Sequence, residues 1–247
     1  MEFVLLVILF FLIAVVYASV GFGGGSSYLA LLAQPFFLFT PETIRPTALL
    51  CNLIVVGGSI VIFYREQLLS WKRFWPFLVA SVPAAYVGGW WKLSDRLFFV
   101  ILGVTLLAAS LFLWIQPRHE EREGKDSWIR NMMLGGGIGF LSGLVSIGGG
   151  IFLAPLLHLL HWGNARTIAA LASVFIFVNS ISGLLGQFQS GLNLWNYQTN
   201  FPLLIAVFVG GQVGARLGAR QWNPVIIKRI TASLILLAAM NILQTHL

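Results

Sequence analysis

The chain has 247 residues, of which 58% are hydrophobic and only 9% are charged, and its mean hydropathy is +0.87. Soluble domains carry about 25% charged residues, so this composition excludes a soluble globular protein and indicates a polytopic membrane protein. The net charge of +7 does not indicate a nucleic-acid partner, because Lys and Arg accumulate in the cytoplasmic loops of membrane proteins.

Ten apolar segments follow one another along the chain and predict ten membrane-embedded helices. Most have roughly 16 to 22 residues, close to the ~20 that cross about 30 Å of hydrocarbon. The second and the seventh have roughly 13 residues, which span only about 20 Å as straight helices. Each of these two is therefore either a transmembrane helix in a thinned region or half of a re-entrant hairpin. The segments are 3–20, 27–39, 47–63, 75–91, 97–116, 131–147, 150–162, 168–186, 200–215 and 225–245.

A glycine triplet precedes each of the two short segments. The triplets are Gly23–Gly25 and Gly148–Gly150, and they lie 125 positions apart. Glycine breaks helices because it has the most backbone freedom to lose. Broken backbone inside a bilayer is tolerated only where its N–H and C=O groups meet protein, water or a ligand. Paired breaks in the two halves of a chain are typical of a transporter's binding site.

A second similarity between the halves lies outside the glycines. The run Pro76–Ala80 matches Pro202–Ala206 at an offset of 126, and the same offset places Gly88 on Gly214. A near-constant offset over most of each half predicts a duplicated unit of five segments. Because five is odd, the second copy enters the membrane from the opposite face.

We therefore predict an all-α polytopic membrane protein with about ten transmembrane or re-entrant helices in two inverted five-helix repeats. The first repeat covers residues 1–116 and the second covers residues 131–247. Residues 117–130, which contain both acidic and basic side chains, form a cytoplasmic connector between them.

The positions of Lys and Arg predict the orientation of the chain. If each short segment returns the chain to its starting side, the 15 basic residues divide 3:12 between the two faces. If each short segment merges with the one before it, they divide 7:8. The positive-inside rule favours the uneven division. A multi-pass protein of the cell membrane with both termini extracytoplasmic is therefore expected.

The interior chemistry suits an anion. No Asp or Glu falls in the middle of a predicted segment, which argues against a cation carrier and against a buried carboxylate relay. Helix N-termini, hydroxyls, amides and a nearby Arg can instead hold an anion. The candidate substrate-binding residues are Gly23, Gly24, Gly25, Ser26, Ser27, Gly148, Gly149, Gly150, Asn52, Ser173, Asn179, Arg45 and Arg166.

Structural alternatives exist for these residues, and the sequence leaves them open. The glycines could simply permit tight packing. The two Asn could only hydrogen-bond neighbouring helices. The two Arg could be interfacial anchors. No zinc motif, nucleophile motif or Walker motif is present, so we expect no catalytic residues, no metal and no cofactor.

The glycine-rich turns and the short segments after them resemble those of the sulfite exporter TauE/SafE family. In that family a glycine-rich turn closes the first helix of each half and is often followed by a Pro. Ser146–Pro155 fits this pattern, whereas the first copy has Ala30 where the Pro would fall. The resemblance covers nearly the whole chain. It implies an integral membrane transporter, and some members export sulfite, sulfonates or related organosulfur anions.

The expected function is therefore a secondary transporter that exports small sulfur-containing oxyanions by alternating access around a midplane site. Its partners are a small anionic solute, the lipid bilayer and a coupling ion, H+ or Na+. A channel-like anion permease, and a membrane-embedded partner subunit or enzyme without transport activity, are the alternatives. The coupling ion and the oligomeric state are left open by the sequence.

Overall fold

The computed structural model describes residues 2–19, 23–114, 127–192, 197–217 and 224–246, and within these ranges it contains helices and no strands. This confirms the all-α fold class. The ten α-helices of the described residues correspond one to one to the ten predicted segments, and most of their ends agree within about four residues. They are α1 (Glu2–Ser19), α2 (Gly25–Leu32), α3 (Pro41–Arg65), α4 (Trp71–Trp90), α5 (Asp95–Trp114), α6 (Trp128–Val145), α7 (Gly150–Leu159), α8 (Ala165–Gln189), α9 (Tyr197–Leu217) and α10 (Pro224–His246).

The second predicted segment, 27–39, is not one helix. The helix α2 ends at Leu32, and a separate 3-10 turn covers Pro35–Phe37. Proline has no N–H to donate and disfavours helical backbone in the residue before it, and Gln34 is accordingly extended with ψ 134°. Most of the predicted connector, residues 117–126, lies outside the described residues.

The helices differ in length in a way that matters for the site. Pro41–Arg65, Asp95–Phe112 and Ala165–Gln189 are the described helices long and apolar enough to cross a bilayer by length and composition. In contrast, α2 has 8 residues and α7 has 10. At about 1.5 Å per residue these two helices extend about 12 and 15 Å, roughly half of the hydrocarbon thickness or less.

A stripe of glycines brings α6 directly onto the backbone of α4. Gly135, Gly139 and Gly143 of α6 lie against the backbone at Phe77, Ser81 and Ala85 of α4. A Cβ added to Gly139, for example, would lie 2.7 Å from the Ser81 carbonyl oxygen. Small residues four apart create this flat surface, and the pairing fixes α4 and α6 side by side in the same direction.

Two glycines that the sequence comparison placed at equivalent positions make equivalent contacts. Gly88 of α4 lies on the Phe140 carbonyl of α6, and Gly214 of α9 lies on the Val15 carbonyl of α1. The contacts between helices show the same correspondence, in which α1 to α5 are equivalent to α6 to α10 in order. The pair α1 and α9 corresponds to α6 and α4, the pair α3 and α9 to α8 and α4, and the pair α2 and α10 to α7 and α5. These shared contacts support the duplicated five-helix unit.

The helices α5 and α10, which occupy the last place in each half, run antiparallel. Arg96 near the start of α5 donates to the His246 carbonyl at the end of α10, at 3.2 Å. Further along α5, Gly103 lies against Leu243, which comes earlier in α10. Counterpart helices that run in opposite directions are what an inverted repeat requires.

Tryptophans stand at the ends of several helices. Trp71 and Trp90 begin and end α4, Trp114 ends α5 and Trp128 begins α6, and all four are exposed. Their amphipathic rings suit the boundary between lipid tails and water. The positions of these rings therefore mark the two surfaces between which the helices lie.

The close contact between α4 and α6 generates a prediction with a matched control. We expect Gly143→Ala to lower stability by about 1–3 kcal/mol, because its methyl group would overlap the Ala85 carbonyl. The Cβ of Gly137, on the exposed face of the same helix, would meet nothing within 4 Å. Gly137→Ala should therefore be neutral or gain up to about 1 kcal/mol from helix propensity. Thermal unfolding of both purified variants in detergent checks this, and equal midpoints would contradict it.

Candidate functional site

The loops that precede the two short helices meet inside the protein. A Cβ added to Gly25 would lie 2.6 Å from the Ile147 carbonyl oxygen, so the two loops contact each other backbone to backbone. The residues from Gly23 to Ala30 and from Ser142 to Pro155 are all buried. The structure thus joins the two glycine triplets, separated by 125 positions in the chain, into one buried centre.

This centre lies at the middle depth of the two longest helices. Gly25 lies against Asn52 of α3, and Gly150 lies against Ile176 of α8. Asn52 and Ile176 each stand 11 residues after the start of a 25-residue helix. Both loops are therefore about 16 Å from the nearer helix end, which is close to the midplane if α3 and α8 cross the membrane.

The side chain of Asn52 touches both loops. It is completely buried, and its Nδ2 donates to the Ile147 carbonyl at 3.2 Å. A Cβ on Gly23 would meet its Oδ1 at 2.6 Å, and a Cβ on Gly148 would meet its Nδ2 at 2.7 Å. Its Oδ1 has no partner among the described residues. Asn52 therefore links the two halves at the point where their helices break.

Each loop ends in a left-handed glycine that starts a helix. Gly24 has φ 78° and precedes α2, and Gly149 has φ 82° and precedes α7. A residue with a side chain is strained at such angles, so glycine suits both positions. Neither helix has a side-chain cap on its first turn. Ser27 and Phe152 donate their N–H groups to the Gly24 and Gly149 carbonyls, which leaves the first two N–H groups and the positive dipole end of each helix available to a ligand.

Several buried polar groups near the loops have no partner among the described residues. In α8, both amide atoms of Asn179 and the hydroxyl of Ser180 are unpaired, although both residues are fully buried. In α6, the Ser142 hydroxyl is also unpaired, and its Cβ would be 3.3 Å from a Cβ on Gly149. Buried polar groups normally have protein or water partners, so such a group calls for water or a ligand.

The serines predicted as ligands lie in different surroundings. The Tyr17 hydroxyl is 2.8 Å from the Ser27 hydroxyl and 3.4 Å from that of Ser26. Tyr17 and Ser27 also line an apolar cavity of about 570 Å³ between α1, α2 and α10. Ser173, in contrast, donates to the Ala169 carbonyl of its own helix at 3.0 Å.

The two predicted arginines are not alike in the structure, and neither contacts the loops through a described hydrogen bond. Arg45 lies inside α3 rather than in the loop before it and is only 4% exposed. Its guanidinium donates to the Gly89 carbonyl at 3.1 Å and the Gly88 carbonyl at 3.5 Å, so it satisfies carbonyl groups at the end of α4. Arg166 is exposed at the start of α8.

Three polar residues of this region carry no strong signal in the sequence. A tyrosine near a helix end, such as Tyr17, normally serves as an interfacial anchor. Ser142 stands in a glycine-rich helix where serine is a usual packing residue. The only feature of Ser180 in the sequence is that it follows Asn179. Their roles depend on which helices come together, and this is a property of the tertiary structure.

Comparison with known proteins places the chain among membrane transporters. The family described as sulfite exporter TauE/SafE matches residues 6–242. The probable membrane transporter protein y4hK of Sinorhizobium fredii is 34% identical, with 96% of this chain and 97% of the relative covered. The probable membrane transporter protein YunE of Bacillus subtilis is 24% identical, with 99% and 98% covered. No solved structure gives a significant match.

The hydrogen-bonding difference between Asn52 and Asn179 generates a prediction about stability. Asn52→Leu should lower the free energy of unfolding by about 1–3 kcal/mol, because it leaves the buried Ile147 carbonyl without its donor. Asn179→Leu should leave stability unchanged or raise it, since it removes an amide with no described partner. Thermal unfolding of both variants in detergent checks the order. A larger loss in the Asn179 variant would contradict it.

Proposed function

The chain belongs to the sulfite exporter TauE/SafE family of membrane transporters, and we propose that it exports small sulfur-containing oxyanions, such as sulfite or organosulfonates. The family name and the resemblance of the glycine turns support this class of substrate. The proposed cycle is that of a secondary transporter in the cell membrane, which exposes one central site alternately to the two sides.

The observation that carries the proposal is the meeting of two uncapped helix N-termini at the same buried point. The N–H groups of Gly25 and Ser26 in α2 and of Gly150 in α7, which have no acceptor among the described residues, would donate to the oxygens of the anion, while Gly23, Gly24, Gly148 and Gly149 shape the loops and Ser27 contributes its hydroxyl. Their helix dipoles add positive potential there. Among side chains that the structure describes, the carboxylates Glu42, Glu66 and Asp95 are exposed, so none repels an anion from the loops.

Unpaired side chains beside the loops would complete the site. The Nδ2 of Asn179 and the hydroxyls of Ser142 and Ser180 can donate to further oxygens. A sulfonate carries a carbon chain as well as three oxygens, and the apolar cavity beside Ser27 offers room for such a chain. Asn52 would hold the two loops together. Arg45 would not contact the anion directly, because its guanidinium binds carbonyls at the end of α4. Ser173, whose hydroxyl bonds within α8, and Arg166, which is exposed at the start of α8, would contribute less.

Alternating access would arise from the two halves, with boundaries near residues 1–116 and 131–247. Two observations support an inverted repeat: α5 and α10 run antiparallel, and each helix pair in contact has a counterpart pair formed by the equivalent helices of the other half. In such a plan the two halves can swap conformations around a fixed centre, so one arrangement opens inward and the other opens outward.

The proposed orientation places both termini outside the cytoplasm. Two contacts support the parity. Arg73 at the start of α4 donates to the Trp162 carbonyl between α7 and α8, and both lie on the face assigned to the cytoplasm. Arg96 contacts the carbonyl of His246 near the C-terminus, and both lie on the opposite face.

Transport should depend on the two left-handed glycines. Replacement of both Gly24 and Gly149 with Leu should abolish saturable sulfite flux in proteoliposomes, because side chains at these φ angles distort the loops. The control is Gly137→Leu, at an open and exposed helix position, which should keep its flux. Full activity in the double variant would refute the assignment of the site, and flux that never saturates would favour a channel-like permease.

Because the double variant could lose its fold, Asn179→Leu provides a second test. We expect this variant to retain its thermal stability yet lose at least about tenfold in flux, since an apolar side chain cannot donate to the anion. Competition by sulfate, a short alkyl sulfonate and chloride in the wild-type protein identifies the substrate class. If the wild-type protein transports no sulfur oxyanion faster than empty liposomes do, the proposal is overturned.

The orientation can be tested by labelling single cysteines from outside intact cells. The chain has one cysteine, Cys51, which is buried and can be replaced by Ala. Ser94→Cys, in the loop between α4 and α5, should react with a membrane-impermeant maleimide in intact cells. Gln67→Cys, in the loop between α3 and α4, should react only after permeabilisation. Both positions are exposed, so the reverse pattern would show that the orientation is inverted.

A further inference from the structure

The C-terminal end of α6 is buried without a backbone cap. The helix ends at Val145, and Ser146 follows in left-handed backbone with φ 65°. A carbonyl in the last turn of a helix is normally capped by the N–H of a residue just beyond that helix, and this is so in α2, α3, α4, α7 and α8. Among the described residues, no such N–H donates to the last turn of α6. The last carbonyls of a helix need partners and form the negative end of its dipole.

Side-chain oxygens gather at this helix end. Gln187 of α8 donates from Nε2 to the Ser146 hydroxyl at 2.9 Å, and its Oε1 has no partner among the described residues. Ser142, one turn earlier in α6, also has an unpaired hydroxyl. All three side chains are at most 2% exposed. Ser142 and Ser146 belong to the last turn and the C-cap of α6, and Gln187 contacts Ser146, so three buried oxygen-bearing side chains lie at the negative end of this helix.

We propose that this place is a sodium site, formed by Gln187 Oε1, the hydroxyls of Ser142 and Ser146, and the free carbonyls at the end of α6. Hard cations bind to oxygen ligands. Because the set contains no carboxylate, a monovalent ion suits it better than a divalent one. Uncapped helix ends and unwound carbonyls bind Na+ in other broken-helix transporters.

The site stands next to the loop that the proposed function assigns to the anion. Ile147 and Gly148 follow Ser146 directly, and Gly149 precedes the N-terminus of α7. One break between two helices would thus bind a cation at the end of α6 and an anion at the start of α7. The positive ion would strengthen anion binding across this short distance. The inference rests on the proposed function for the role of the ion as a coupling ion, but not for its binding.

The described residues of the first half do not reproduce this set of oxygens. The helices α3 and α8 begin 124 positions apart, so the place of Gln187 is occupied by Phe63 in the first half. By the offset of 125 that relates Val15 to Phe140, Ser142 corresponds to Tyr17. Neither residue supplies the same oxygens, because Phe63 has none and the Tyr17 hydroxyl bonds Ser27. We therefore expect one sodium ion per chain.

Sodium binding can be measured without transport. The purified full-length protein would be titrated in detergent with NaCl against choline chloride at constant ionic strength and without any sulfur anion. We expect a saturable rise in the unfolding midpoint that depends on Na+. Gln187→Leu and Ser146→Gly should each raise the half-saturating sodium concentration at least about tenfold. Gln212→Leu, in the half-buried part of α9, should respond as the wild type does.

Ser146→Gly removes a proposed ligand without straining the backbone, because glycine adopts φ 65° readily. Loss of the hydroxyl also leaves the buried Gln187 Nε2 without its acceptor, so we expect a lower unfolding midpoint than the wild type in choline chloride. The decisive result is that this midpoint should no longer rise with sodium. No sodium-dependent shift in the wild type, or an unchanged shift in both variants, would overturn the proposal. A shift that choline chloride also produces would overturn it too. If the protein binds sodium but transports no sulfite, the proposed cation site is retained and only the proposed substrate is refuted.

Discussion

The whole arrangement depends on one constraint: backbone N–H and C=O groups inside a bilayer must find partners. An unbroken helix satisfies its own groups, and a broken one cannot. This chain breaks two helices at the same depth and sets the broken ends against each other. The Asn52 amide donates to the buried Ile147 carbonyl, and the glycines let the two backbones approach. The backbone and side-chain polar groups that stay unpaired at this centre are the ones that could bind a ligand.

Close packing elsewhere keeps the centre in place. The glycine stripe of α6 lies on the backbone of α4, and Gly183 and Gly186 of α8 lie on the backbone of the same helix. Helix pairs at such short distances leave little freedom to slide, because any added atom meets a neighbouring carbonyl. A rigid frame of this kind can support loops that carry unpaired polar groups, which by themselves lower stability.

The two halves share a plan, yet their chemistry differs at the centre. Asn52 of α3 has Ile176 as its counterpart in α8, and the polar side chain of α8, Asn179, stands almost one turn further along. The end of α6 carries Ser146 and Gln187, whereas the first half has Phe63 in the place of Gln187. In the proposed mechanism the duplicated plan would provide a symmetric movement, and divergence of a few side chains would provide an asymmetric site for two different ligands.

The sequence by itself determined the ten helices, the two breaks and the offset between the halves, because hydrophobic run length and glycine act locally along the chain. It also identified Asn52 as a buried amide in an apolar helix. Only the tertiary structure decided that the two glycine triplets meet and that Asn52 contacts both. It also showed that Arg45 caps α4 instead of standing in a loop, and that the end of α6 faces Gln187. These facts depend on contacts between residues far apart in the chain, such as Gly25 with Ile147 and Ser146 with Gln187, which no local pattern encodes.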